Sequence, residues 1–166
     1  MTPQKAFDEY HQAVYRFAYR LTGQADLAED ITQESFLALL RAPHRFDPQK
    51  AGMKTFLFAI ARNLTLKQYR DQGGEQLFDE LPPPAAFDPR CMLDIAVAVA
   101  TAVAGLPHLQ REAVILFEYE GATLEEISHI VQADIGTVKS RLHRARKRLR
   151  RDLAPYRKVG NAHGTV

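Results

Sequence analysis

Hydrophobic residues recur at intervals of three and four along almost the whole chain, which is the spacing of one face of an α-helix. In the first segment, Thr2 and Pro3 predict a helix start, because threonine caps helices and proline suits the first helical position. Gly23 predicts the end of this helix. Its apolar stripe consists of Phe7, Tyr10, Val14, Phe17, Ala18 and Leu21.

Two further helices are predicted in the first half of the chain. Asp26 is expected to cap the second, with Glu29 three residues later as its capping-box partner, and Pro43 closes it. Residues 43–52 contain two prolines and a glycine, so this segment is predicted to be a loop. The third helix follows, with predicted buried residues Met53, Phe56, Leu57, Ile60, Ala61 and Leu64.

The helical pattern stops between residues 71 and 91. This stretch contains a Gly-Gly pair, a run of three prolines and a fourth proline, and residues 71–90 carry five acids against one base. Such a composition favours an extended, partly disordered linker. The sequence therefore predicts two small helical domains, residues 1–70 and 92–153, joined by an acidic Pro/Gly-containing linker over 71–91.

The second domain shows four predicted helices. The first spans about residues 92–104, and Pro107 opens the next, which ends near Gly121. Thr123 and Glu126 form a predicted capping box for a short third helix. A turn at 132–136 leads to the last helix, for which Thr137 is the predicted cap and about residue 153 the end. The tail, residues 154–166, is predicted to be disordered, and the fold class is all-α.

Composition narrows the functional classes. The chain has 166 residues, 46% hydrophobic and 25% charged, which is typical of a soluble folded protein. The single cysteine, Cys91, excludes an intramolecular disulfide and disfavours a cysteine-based zinc site. The N-terminus lacks the apolar segment of a secretory signal, and the longest apolar stretch, residues 95–106, is too short to cross a bilayer. We expect a cytoplasmic protein without membrane insertion.

Catalytic and cofactor-binding patterns were not found. The six histidines are scattered without metal-ligand spacing, and no nucleophile–base pair or phosphate loop can be recognised. The expectation is a protein that is not an enzyme and that binds no metal or cofactor.

The last helix carries an unusually one-sided charge. Eight bases and no acid lie between Gly136 and Arg151, although the net charge of the whole chain is only +2. Val138, Leu142, Ala145 and Leu149 share its apolar face, so the basic face is left for an anionic partner. Together with the preceding short helix this is a helix-turn-helix, whose second helix fits the DNA major groove. A solvated basic helix without a specific partner is the plainer alternative.

Within this helix, residues near the N-terminus are expected to meet bases and later ones phosphates. Arg144 is the predicted base contact, with guanine as the expected base. Arg148 and Arg151 are predicted phosphate contacts. The full predicted DNA-binding set is Thr137, Lys139, Ser140, Arg141, His143, Arg144, Lys147 and Arg148.

The third helix of the first domain offers a second, weaker nucleic-acid pattern. Bases lie opposite its apolar face, and the loop before it adds bases and an aromatic ring. Such a mixture suits a single strand, whose backbone is held by charge and whose bases stack on rings. An ordinary solvated helix face explains the pattern equally well. The residues concerned are His44, Arg45, Phe46, Lys50, Lys54, Arg62, Asn63, Lys67 and Arg70.

Several segments, in order, resemble the extracytoplasmic-function (ECF) group of sigma-70 type RNA polymerase sigma factors. AEDITQESF at 28–36 and TFLFAIARNL at 55–64 are similar to the family's second region. LP at 106–107, RE at 111–112, TLEEIS at 123–128 and GTVKSRLHRARKRL at 136–149 are similar to its fourth region. Three departures from the family pattern are visible: Phe56 stands where Trp is usual, an Asp is frequent in the family near Lys67, and Ser128 stands where Ala is usual.

The resemblance implies a transcription-initiation factor that binds core RNA polymerase and directs it to promoters. The second helix would dock on the clamp coiled coil of the largest subunit, and the second domain would grip the flap of the second-largest subunit. The residues implied in the clamp contact are Asp30, Gln33, Glu34 and Leu37.

The resemblance also implies how the promoter DNA is read. The loop and third helix would open the minus-ten element and hold its non-template strand, and the recognition helix would read the minus-thirty-five element. An anti-sigma partner that clamps between the domains is typical of the family. The implied minus-ten residues are His44, Arg45, Phe46, Lys50, Lys54, Phe56, Arg62, Asn63 and Lys67.

Two rival interpretations remain. A helix-turn-helix regulator that binds duplex operators as a dimer would share the C-terminal pattern, but it has no need of the segments at 28–36 and 55–64. A nuclease with acidic metal ligands would need a close acidic cluster beside a basic one, and the sequence offers none with suitable spacing.

Overall fold

The computed structural model of the chain describes residues 1–72 and 95–156. In these ranges the chain forms seven α-helices. They are α1 (Pro3–Thr22), α2 (Ala25–Arg41), α3 (Met53–Asp71), α4 (Ile95–Ala104), α5 (His108–Val114), α6 (Leu124–Val131) and α7 (Ile135–Asp152). Short 3-10 helices cover Pro43–Arg45 and Ala154–Tyr156, and α5 continues into a π-helical turn over Ile115–Tyr119.

Helices α1, α2 and α3 pack against one another as the first domain. Thr2 caps α1 and Pro3 opens it, as predicted. Gly23 ends it in a left-handed conformation (φ 67°), and its N–H donates to the Tyr19 carbonyl at 2.7 Å. The stacked rings of Phe17 and Phe58, with centroids 4.8 Å apart, lie in the centre of this bundle.

Two predictions for the first domain were wrong in detail. Helix α2 begins at Ala25 after Gln24, so Asp26 is not its cap but lies in the first turn, where its charge favours the helix dipole. In α3 the predicted buried residues Phe56, Ile60 and Leu64 are only half-buried, whereas Phe58 and Leu66 are buried. The reason is that α3 contacts α6 as well as α1 and α2, so more than one face is covered.

The second domain comprises α4 to α7. The predicted capping box of α6 is present: the Thr123 hydroxyl accepts from the Glu126 N–H at 3.1 Å, and the Glu126 carboxylate accepts from the Thr123 N–H at 2.9 Å. The predicted Thr137 cap of α7 was wrong. The helix begins at Ile135, three residues earlier than a Thr137 cap implies, because the Asp134 carboxylate caps it and accepts from the Thr137 N–H at 2.6 Å.

The two domains are in contact. Helix α3 packs against α6, and α1 packs against α5 and its π-helical turn. Buried apolar residues of both domains therefore belong to one continuous cluster. The all-α, two-domain fold class is confirmed by the helices of the described ranges.

Parts of the predicted organisation lie outside the described residues, namely most of the linker at 71–91, the start of the second domain at 92–94, and the tail at 157–166. Helix α3 includes Asp71, and the first three residues of the predicted disordered tail, Ala154–Tyr156, form a 3-10 helix instead. Within residues 1–72 and 95–156, no helix has both the length and the apolar character needed to cross a membrane.

Candidate nucleic-acid interface

The basic helix α7 rests on its apolar face and exposes its polar one. Val138, Leu142 and Ala145 are buried, mainly against α5 and α6. Of the predicted DNA-binding residues, Thr137 and Arg141 are half-buried. The exposed ones are Lys139, Ser140, His143, Arg144, Lys147 and Arg148.

Local hydrogen bonds fix the N-terminus of α7, which is the end expected to meet base edges. The hydrogen bonds from Thr137 lower the pKa of the Asp134 carboxyl, so Asp134 stays ionised as the cap of this helix. In the turn before it, the Ser128 hydroxyl donates to the Ala133 carbonyl, and Gln132 adopts a left-handed conformation. Ser128, which departs from the family's usual alanine, thus stabilises the turn.

A cleft of about 650 Å³ lies beside this end of α7 and is lined by Leu109, Gln110, Asp134, Gly136, Thr137, Ser140, Arg141 and Arg144. Its lining brings together the N-terminal turns of α5 and α7. Some bases of the helix are engaged within the domain, and among them the Arg146 guanidinium lies 3.6 Å from the Glu118 carboxylate and 5.3 Å from the Phe117 ring.

The loop before α3 displays its bases but not its ring. His44, Arg45 and Lys50 are exposed. Phe46 and Phe56, by contrast, are half-buried and pack on each other with ring centroids 5.4 Å apart. In this conformation the two rings pack at the junction between the loop and α3.

Two of the predicted minus-ten residues on α3 form ion pairs with carboxylates of the second domain. Arg62, predicted to lie on a solvated face, is buried and donates to the Glu112 carboxylate from Nε (3.0 Å) and Nη2 (3.1 Å). The Lys54 ammonium lies 3.3 Å from the Glu120 carboxylate. Asn63 and Lys67 remain exposed.

Glu112 is the centre of a buried charged cluster. Besides Arg62, its carboxylate lies 3.3 Å from His108 Nε2 and 4.0 Å from Arg141 Nη1. Burial alone would raise the pKa of Glu112, but hydrogen bonds and positive charge from His108 and Arg62 outweigh burial and lower it. The carboxylate is therefore ionised at neutral pH.

Sequence reasoning missed Glu112 and Glu120. A signal for Glu112 exists, because it lies four residues after His108 and four before Leu116, both of which are buried. A charged residue at helical spacing within a buried stripe requires a buried partner. Nothing in the local pattern identifies that partner as Arg62, 50 residues away.

The predicted polymerase-binding residues lie together on α2. Asp30, Gln33 and Glu34 are exposed, and the Leu37 side chain is also exposed, at 38%. Asp30 and Glu34 line a shallow groove between α2 and α3 that also includes Lys67. The structure thus places Lys67 beside the acidic face of α2, away from Lys54 and Phe56 nearer the start of α3.

Comparison with known families decides the identity of this arrangement. The family model of Sigma-70 region 2 matches residues 6–75, and that of Sigma-70, region 4 matches residues 96–149. The chain belongs to the sigma-70 family. Region 2 coincides with the bundle of α1 to α3, and region 4 with α4 to α7.

Curated relatives are ECF RNA polymerase sigma factors, so the predicted ECF resemblance is confirmed. SigE of Mycolicibacterium smegmatis is 34% identical over 89% of this chain, which spans 60% of the SigE length. SigM of Bacillus subtilis is 32% identical over 90% of this chain and 94% of its own length. A helix-turn-helix regulator without region 2 is not favoured.

Solved structures show the same fold. The sigma factor RpoE, crystallised with the anti-sigma factor NepR from Bartonella quintana, superposes with a TM-score of 0.73, with 32% identity over 91% of this chain and 96% of RpoE. CnrH, solved in complex with the cytosolic domain of CnrY, superposes with a TM-score of 0.68 at 22% identity and covers 92% of this chain and 88% of its own.

Proposed function

We propose that this chain binds core RNA polymerase, directs it to specific promoters and helps to open the DNA there. The observation that carries the proposal is the exposed basic face of α7, held by a capped helix-turn-helix on the same chain as a region 2 bundle. A helix of this charge on this support suits the major groove of a minus-thirty-five element.

In region 4, we assign base reading to the first three turns of α7. Arg144 is exposed and can offer two parallel N–H donors to guanine O6 and N7, and Ser140 lies one turn before it. Lys147 and Arg148 lie further along the helix, where phosphate contacts add affinity without sequence preference.

In region 2, we assign the loop at 43–52 and α3 to the minus-ten element. The exposed bases His44, Arg45 and Lys50 would follow the single-stranded backbone, and Asn63 offers an amide to an unstacked base. Phe46 and Phe56 would supply the stacking surface after their rings separate from each other. Capture of an unstacked base offsets part of the cost of opening the duplex, so no ATP is required.

The remaining partners follow from the same assignment. The acidic face of α2 with Leu37 would contact the clamp coiled coil of the largest polymerase subunit, and apolar residues of region 4 the flap of the second-largest. RpoE at 32% identity was solved with an anti-sigma factor, which supports an anti-sigma partner for this chain. In this scheme the chain acts in the cytoplasm by binding alone and performs no catalysis.

The proposal is tested by the affinity of the purified chain for core polymerase. The double variant Asp30→Asn, Glu34→Gln removes two negative charges from the exposed face of α2. The matched control, Asp8→Asn with Glu9→Gln, removes two from the exposed side of α1. We expect tight binding by the wild type and control and about tenfold weaker binding by the double variant, since loss of close interfacial charge pairs commonly exceeds 1.4 kcal/mol.

Equal weakening by the two double variants would remove α2 from the polymerase contact. If the wild-type chain itself did not bind core polymerase, the proposed function would fail as a whole.

A further inference from the structure

We propose that the domain contact seen here is a self-inhibited form of the protein. Region 4 covers cations that region 2 needs for the minus-ten strand, and Glu112 exchanges Arg62 for Arg141 when the domains separate. This inference rests on the proposed function, because it presupposes that α3 binds DNA.

Polar contacts cross between the domains within residues 1–72 and 95–156. Arg62 of α3 holds Glu112 of α5 through two hydrogen bonds, as described above. Glu120, whose side chain is only 4% exposed, lies 3.5 Å from the Arg20 guanidinium and 3.3 Å from the Lys54 ammonium. In the opposite direction, Arg111 Nη1 donates to the Leu21 carbonyl at 2.8 Å.

Glutamates of region 4 form ion pairs with cations of region 2 that are expected to contact DNA phosphate. Lys54 and Arg62 are both assigned to the minus-ten strand, and in this structure each faces a carboxylate. A carboxylate and a phosphate present the same kind of anionic oxygen to a guanidinium or ammonium group. The strand and region 4 therefore compete for Arg62, which is buried, and for Lys54, whose side chain remains 40% exposed.

Glu112 has a substitute partner within its own domain. Arg141 Nη1 is buried, lies 4.0 Å from Glu112 Oε1, and has no hydrogen-bond partner in the part of the chain that the structure describes. His108 lies 3.3 Å from the other carboxylate oxygen. When the domains separate and Arg62 moves away, Arg141 can shift toward Glu112 and pair with it. Opening therefore leaves no buried charge without a partner.

Arg141 belongs to the recognition helix, which links the two DNA-binding sites. In the closed form its guanidinium is the more distant of two that face Glu112. In the open form it becomes the nearer one and ties α7 to α5 through a full ion pair. Release of region 2 is thereby coupled to firmer seating of the helix that reads the minus-thirty-five element.

The edge of the contact is suited to separation. Tyr119, which is 41% exposed, carries the Arg20 guanidinium over its ring at 4.4 Å. Charged and half-exposed groups of this kind are typical of interfaces between domains that move relative to each other. Each of these groups can be solvated by water or bound by DNA once the domains part.

The test is Glu120→Lys in the full-length chain. This variant places a third cation beside Arg20 and Lys54, so the closed contact cannot persist. The matched control is Glu118→Lys, which makes the same charge change at a glutamate that faces Arg146 within region 4. Small-angle X-ray scattering measures domain separation. Fluorescence anisotropy measures affinity for a labelled single-stranded DNA, selected beforehand by the wild-type polymerase complex from a random pool.

We expect Glu120→Lys to increase the radius of gyration and to bind the strand about tenfold more tightly than Glu118→Lys, as removal of a tenfold-favoured closed state requires. If Glu120→Lys does not fold, Glu120→Gln against Glu118→Gln gives the same comparison with a smaller effect. An unchanged radius, or an opened variant that binds no better than its control, overturns the inference.

Failure of the proposed function is recognised separately. If the wild-type polymerase complex retains no strand from the pool, the minus-ten assignment is wrong and the inference falls with it. If the complex retains a strand and the opened free chain binds it no better than the control, only the self-inhibition is refuted.

Discussion

Arg62, His108 and Arg141 converge on Glu112. It is fully buried, yet its pKa is lowered, because His108 and Arg62 stabilise the ionised form more than burial disfavours it. Burying such a cluster contributes little net stability compared with an apolar core, but breaking it by removal of one partner is strongly destabilising. Its presence between the domains therefore indicates a role in positioning.

The lowered pKa of Glu112 makes stability depend on pH. Its contribution is fully present above the ordinary value of 4.5 and is lost as pH falls through the lower value in the folded chain. We expect Glu112→Gln to lower the urea midpoint near pH 7 and the difference from wild type to shrink at about pH 3. Urea titrations of both chains, followed by circular dichroism, measure this. A difference that stays constant with pH would show that the carboxylate does not act through its charge.

Arg144 is the residue whose loss best separates sequence reading from general affinity. Arg144→Ala is expected to cost about 1–3 kcal/mol of discrimination between the selected minus-thirty-five duplex and a scrambled one, because a bidentate contact to guanine is lost. Anisotropy titrations of the polymerase complex on both duplexes measure it.

The control for Arg144 is Arg148→Ala, which should weaken binding to both duplexes by a similar factor because phosphate contacts carry no sequence information. If Arg144→Ala also weakened both duplexes equally, Arg144 would be a phosphate contact and the base-reading assignment would move elsewhere on α7.

At the scale of helices, caps and stripes differ in how far sequence predicts them. The capping box of α6 was predicted correctly, since Thr123 and Glu126 stand at the required spacing before an apolar run. The cap of α7 was predicted at Thr137 although Asp134 takes that role, because both residue types are good caps and only the turn at 132–133 decides between them. Pattern alone could not separate the two.

The capping box gives a prediction at the scale of one helix. Thr123→Ala should destabilise the chain by about 1 kcal/mol, since the N-terminal N–H groups of α6 lose their side-chain acceptor. Thr123→Ser keeps the hydroxyl and should lie close to wild type. Urea midpoints of the three chains provide the comparison, and equal midpoints for the alanine and serine variants would mean that the cap contributes nothing.

For the whole molecule, local pattern was sufficient for the helices and the family, but not for the packing between domains. Arg62 has the spacing of a solvated residue on α3, and only the presence of α6 and Glu112 beside it explains its burial. Such contacts join segments 50 residues apart, and helical periodicity carries no information about them. Most of the predicted DNA-binding residues of α7 are exposed, as the helical spacing indicates, but Thr137 and Arg141 are half-buried.

Under the proposed function, the two DNA-binding regions act on one promoter only if a polymerase fixes the gap between them. The proposed closed form of the free chain is compatible with binding at two places in the complex. In this scheme neither region alone defines a start site, because a short basic helix and a partly covered single-strand surface both bind DNA weakly without that support.

Transcription in vitro on a library of random promoters tests the central claim most directly. Core polymerase is supplied with the purified chain or with none, and start sites are mapped by sequencing of the transcripts. With the chain we predict defined start sites, each preceded by two shared sequence elements at a fixed separation. The same scattered start sites with and without the chain would contradict the account.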